Sequence, residues 1–161
     1  MEVCAASARG KRSKKFVINE ASPKKGGIIM NTYESYLETP KSLTFDQMKE
    51  IHTQILSELE NDSVGQELYG ELMEEATGYA EIRAKWLSLD REQKMEQDSF
   101  RTACHNSVIV SFNMLARYLK TQGKPAKWRD VLGYEEDDKY FRKTIGDFAC
   151  YLVFVNSLCA R

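Results

Sequence analysis

Between residues 141 and 159, six side chains recur at spacings of four and three: Phe141, Ile145, Phe148, Leu152, Val155 and Cys159. That spacing places all six on one face of an α-helix, and its mean period is that of the seam along which helices pack side by side. A strand would scatter the set over both faces of a sheet. The same period recurs upstream. Phe45, Met48, Ile51 with His52, Ile55 and Leu59 mark a first helix over about 44–61, opened by Thr44 and Gln47 at capping-box spacing and closed by Asn61-Asp62-Ser63. Leu68, Leu72, Ala76, Tyr79, Ile82 and Trp86 mark a second over about 64–88. Gly65, Gly70 and Gly78 weaken that helix by up to about 1 kcal/mol each and suit a close helix approach.

A third helix starts at Ser88 or Asp90 and runs to Gln122, with Gly123 as its stop and Pro125 beyond. Its length of about 33 residues implies roughly 50 Å, unless it breaks near Asp98–Ser99. Phe100, Cys104, Val108, Ser111, Leu115 and Leu119 form its stripe, and between 108 and 119 apolar residues surround the helix, which predicts a central position. A short helix around 127–132, closed by Gly133, leads to the last helix, whose start near Asp137-Asp138 suits the positive end of a helix dipole. Ahead of all these, Tyr33, Tyr36 and Leu37 make one apolar turn before Pro40. There is no sustained alternation and no internal repeat. The pattern predicts an all-α, four-helix-type bundle with a long central third helix and a short connecting helix. With 161 residues, 42% apolar and 29% charged, the chain can build the one hydrophobic core such a bundle needs. No apolar run approaches the length of a membrane span.

Charge is divided along the chain. Residues 1–29 hold seven Lys/Arg against two Glu, so that segment is +5 and the remainder −6 of the net −1. Its basic cluster, Arg9 to Lys15, precedes only the short Phe16-Val17-Ile18, too little for a secretory signal. Gly26-Gly27 ahead of Met30 is what a bacterial ribosome-binding site looks like when translated. The expectation is that 30–161 is the single domain, that Met30 is its start, and that 1–29 is a basic extension foreign to it. Gly codons that do not read GGAGG would remove this argument. A domain at −6 argues against nucleic-acid binding. Within it, Thr44–Glu75 has nine acids against Lys49 alone, and 101–161 has ten bases against six acids. Such faces either pack beside each other or offer an acidic surface to a basic partner or a cation.

Cys4, Cys104, Cys150 and Cys159 contain no CxxC pair, and Cys150 and Cys159 fall on opposite helix faces. They read as reduced thiols packed as small apolar groups in a cytoplasmic protein. Cys104 is followed by His105, but consecutive helical side chains diverge by about 100°, so the two do not form a nucleophile–base pair. His52, on an apolar face, reads as a packed and hydrogen-bonded core residue. Asn106, Asn113 and Arg117 lie on one line of the third helix at i, i+7 and i+11, and Asp147 sits mid-helix among apolar neighbours. Buried polar groups need partners, so these four are expected to form a buried network, through Asp147–Arg117 or Asp147–Asn113.

Glu67, Glu71, Glu74, Gly78 and Glu81 share one face of the second helix, with Glu75 adjacent. In this setting Leu72–Ile82 (LMEEATGYAEI) and Ile145–Val155 (IGDFACYLVFV) resemble the paired helices of all-helical nucleotide pyrophosphohydrolases, which hold Mg²⁺ through an EExxE and an ExxD motif. The resemblance implies Mg²⁺ on Glu74, Glu75 and Asp147, with Glu71 close by. Gly78 stands where the third Glu of EExxE belongs and Thr144 where the Glu of ExxD belongs. The segment from His105 to the C-terminus is similar to small bacterial helical families that carry no assigned activity. The residues therefore support two expectations. The first is a non-catalytic binding module, needing no cofactor, that self-associates or takes a protein partner, with Tyr33, Tyr36, Tyr69, Trp86 and Trp128 as anchors. The second is a Mg²⁺-dependent hydrolase centred on Glu71, Glu74, Glu75 and Asp147.

Overall fold

Local signals set the helix ends. In the computed structural model, which describes residues 42–133 and 139–159, helix α1 (Phe45–Glu58) begins at a reciprocal cap. The Gln47 N–H donates to Thr44 Oγ1 at 3.2 Å and the Thr44 N–H to Gln47 Oε1 at 2.8 Å. Met48, Ile51, Ile55 and, just beyond the helix, Leu59 are its buried face. The turn to α2 (Ser63–Trp86) passes through Asn61 at φ 60°, and Asp62 caps α2 by accepting the Gly65 N–H at 2.9 Å. A Cβ on Gly65 would lie 2.8 Å from Leu59 Cδ2, so this corner needs glycine. Gly70 and Gly78 meet nothing within 4 Å, which corrects the expectation that they allow a close approach. The small buried residues of α2 are instead Ala76, Ala80 and Ala84, at i, i+4 and i+8.

Helix α3 (Arg91–Thr121) starts at a second reciprocal cap, between Asp90 and Gln93, and runs unbroken through Asp98–Ser99. Gly123, at φ 75°, ends it in the left-handed conformation. His105, Val108, Ile109, Phe112, Leu115, Ala116 and Leu119 are its buried set. Phe100, placed in that stripe by spacing, is exposed, and Val110 and Met114 face outward too. The buried set begins only at His105, and every residue from 91 to 104 is exposed or half-buried. Helix α4 (Trp128–Val131) buries Trp128 completely. Trp128 is thus a core residue and no surface anchor. Helix α5 (Lys139–Cys159) is the element enclosed all round, for every residue from Thr144 to Val153 is buried.

The result is an all-α bundle of four long helices and one short connector. Helix α2 packs along both α3 and α5, and α1 lies against α4 and α5. Phe112, Phe148, Trp128 and Tyr151 interlock at the centre, with ring centroids 5.7–6.2 Å apart between neighbours. Among the described residues there is no strand, and no helix is long and apolar enough to cross a membrane. The extension 1–29, the Met30 start, the turn at Tyr33–Leu37 and the Asp137-Asp138 start lie outside the described residues.

Candidate functional site

Two depressions flank α3, and they divide the residues singled out by sequence. The first is an open groove of about 450 Å³ between α2 and α3, lined by Glu71, Glu74 and Glu75 on one side and by Asn106, Ser107, Val110, Ser111 and Met114 on the other. Of the α3 residues that line it, Val110 and Met114 are apolar and lie 54% and 47% exposed. The three glutamates are exposed along its rim. Helical spacing explains the pairing. On α2 the core takes Leu72, Ala76 and Ala80, which turns Glu71, Glu74 and Glu75 outward, and on α3 the same rotation turns out Ser107, Val110 and Met114.

The second depression, of about 470 Å³, lies where α2, α3 and α5 meet. It is lined by Tyr79, Arg83, Arg101, Thr102, His105, Arg142, Lys143 and Asp147. His105 stacks on Tyr79 with ring centroids 4.8 Å apart and 16° between planes, and its Nε2–H donates to the Arg142 carbonyl at 2.7 Å. Burial, reinforced by the nearby arginines, pushes the imidazole down to about 4 although that carbonyl favours its charged form. Burial likewise pushes the Tyr79 phenol well up. Asp147 Oδ2 accepts the Ser42 N–H at 3.2 Å and the Ser42 hydroxyl at 3.1 Å, and the Thr144 hydroxyl donates to Ser42 Oγ at 3.0 Å.

The carboxylates expected to share one Mg²⁺ are therefore split. Glu71, Glu74 and Glu75 line the groove, and Asp147 lines the depression ringed by cations. Among the described residues no group of three or more His, Cys, Asp or Glu side chains is placed to hold a metal ion. The residues present do not fit a shared Mg²⁺.

The expected buried network also needs correction, because only Asp147 of its four members is buried. Asn106 and Arg117 are exposed and Asn113 is half-buried, since their line runs along the edge of α3 beside the core stripe. Asn106 Oδ1 accepts from Arg142 Nη2 at 2.6 Å, and Asn113 Oδ1 accepts from Arg129 Nε at 2.8 Å. Arg129, buried to 1% exposure and also donating to the Gly133 carbonyl, is a residue that periodicity alone does not reveal.

His52 is half-buried and hydrogen-bonds Tyr69 Oη at 3.1 Å, so Tyr69 is tied inward and is no free anchor. Trp86 lies beneath Arg101, whose guanidinium carbon is 4.8 Å from the ring centroid. Cys104 is half-buried, and burial, with a smaller contribution from Glu75, pushes its thiol up. Comparison with family models, curated proteins and solved structures finds no match.

Proposed function

We propose that this chain is a binding module whose α2/α3 groove receives a basic amphipathic helix from a protein partner. The observation that supports this reading is the pairing of two exposed apolar side chains one turn apart, Val110 and Met114, with a rim of three glutamates. A helix-in-groove partner meets such a surface with apolar anchors one turn apart and Lys or Arg on its flanks. Attraction to the acidic rim sets orientation and speeds encounter. Two copies packing antiparallel through this face would bring their glutamate rows to the same side, so repulsion disfavours that arrangement.

The reading predicts that the full chain binds a synthetic Leu/Lys amphipathic helix saturably and more weakly as salt is raised. Val110→Glu should remove most of that binding, and Glu74→Gln with Glu75→Gln should flatten most of its salt dependence. The absence of saturable binding, or binding indifferent to these changes, overturns the proposal. A concentration-dependent dimer that Val110→Glu dissociates, seen by light scattering, would assign the face to a second copy instead.

A further inference from the structure

We infer that the docking face continues beyond the groove as a seam along α3 from Met114 to Phe100. The helix it receives is then at least four turns long, with its Lys and Arg confined to one flank. This inference rests on the helix-docking reading and extends it to residues outside the groove. Phe100, Ala103, Ser107, Val110 and Met114 follow one another at spacings of three and four, the period along which one helix packs on another. All five are exposed or half-buried, Phe100 to 63% exposure. A lone exposed apolar side chain is ordinary on a protein surface, but successive ones at this spacing are neighbours and make one face. The buried side of α3, from His105 through Leu119, points the opposite way. The next positions in either direction, Glu96 and Arg117, are charged and exposed, so they bound the seam. Between Phe100 and Met114 it runs about 21 Å, or roughly four turns.

The charge beside the seam is one-sided. Helix α2 runs antiparallel to α3, tied at one end by the Tyr118 hydroxyl donating to Asp62 at 2.7 Å. At the other end Tyr79 stacks on His105 and Trp86 lies beneath Arg101. Between those ends Glu67, Glu71, Glu74 and Glu81 share the outward face of α2, so an acidic row accompanies the seam along its length. The row closes where Lys85 lies near Glu81. The other edge of the seam is the line of Asn106, Asn113 and Arg117. Asn106 binds Arg142 of α5 and Asn113 binds Arg129 of α4, so this edge faces away from α2. A helix basic along both flanks would set its second basic row beside Arg117, whereas one basic on a single flank meets only the acidic row. Turning such a helix end for end would exchange its flanks. The asymmetry therefore also selects one chain direction for the partner.

Fluorescence anisotropy titration of the full chain at fixed ionic strength tests it, with synthetic Leu/Lys helices of about five turns as probes. One helix carries leucines along its whole length and lysines on one flank; a second has the leucines of one half replaced by Gln. The first should bind at least about tenfold more tightly, and Phe100→Ala, checked for retained helicity, should remove most of that advantage. A third helix with the same number of lysines shared between both flanks should bind more weakly than the first, and equal binding overturns the one-flank requirement. If Val110→Glu removes binding while Phe100→Ala leaves the first two helices unchanged, or if those two bind alike, the seam is overturned and the groove reading stands. No saturable binding of any helix overturns both. A dimer seen by light scattering that Phe100→Ala dissociates would give the seam to a second copy and overturn this inference.

Discussion

His105 shows how one side chain can serve both packing and the site. It closes the wall behind Tyr79 and fixes the backbone of Arg142, yet it stays neutral because burial opposes its charge. Its pKa in the folded chain is about 4, below the ordinary 6.5, so the unfolded chain takes up this proton first as pH falls. His105 therefore contributes fully above about 6.5, and the contribution is lost as pH falls towards 4, a change on the order of 3 kcal/mol. His105→Gln, which keeps an N–H for the Arg142 carbonyl, should flatten urea midpoints across that interval. A residual slope of the same sign belongs to His52, also pushed down by burial. Glu58 makes a second residue-scale case. Its carboxylate accepts the Ala126 N–H and the Trp128 indole N–H, each at 3.0 Å, and so ties the end of α1 to the segment before α4. Glu58→Ala would leave the indole N–H of a fully buried tryptophan without its acceptor. A loss of about 2–3 kcal/mol in unfolding free energy is expected, against less for Glu58→Gln, which retains one acceptor.

At the scale of the helix, glycine separates two outcomes that sequence alone cannot. Gly70 and Gly78 lie inside α2 with open space where a Cβ would go, so Gly70→Ala and Gly78→Ala should each stabilise by roughly 0.5–1 kcal/mol. Gly146 lies inside α5 with Tyr79 Oη 2.7 Å from that position. Gly146→Ala should lower the melting temperature and push Tyr79 off the wall of the cationic depression, and the nearby phenol makes the shift visible in near-ultraviolet dichroism. Stabilisation by Gly146→Ala would show that α2 and α5 part easily. The same contrast explains what was legible in the sequence. Helix number, the reciprocal cap at Thr44 and the stops at Gly123 and Gly133 follow from spacing and backbone chemistry within a few residues of each other, whereas the cap between Asp90 and Gln93 appears only in the structure. The faces were less legible because they depend on which neighbour covers each helix. Spacing put Phe100 in the core and ringed α3 with apolar contacts, whereas the enclosed stretch is Thr144–Val153. Asn113 signalled a polar partner, but that partner, Arg129, arrives from a short helix with no period of its own. The cationic depression was harder still, for its arginines lie on three helices and belong to no motif.

For the molecule as a whole, the cysteines provide a graded probe of cooperativity. Cys159 is exposed near the end of α5, Cys104 is half-buried with its thiol pushed up, and Cys150 is fully buried where α5 is enclosed. Thiolate is the reactive species, so a thiol reagent should label Cys159 first and Cys104 more slowly. Cys150 has no route to solvent that leaves its packing intact. If the bundle unfolds as one unit, Cys150 becomes reactive only through global opening, with protection of about 10³ or more for a domain of ordinary stability. Peptide mapping assigns each label and keeps Cys4, outside the described residues, distinct from the other three. Added urea should then raise Cys150 labelling along the same curve that removes helicity. Labelling of Cys150 ahead of that curve would mean that α5 leaves the bundle on its own. The depression formed by Arg83, Arg101, Arg142 and Lys143 would then exist only while α5 is docked, because two of its four cations come from that helix.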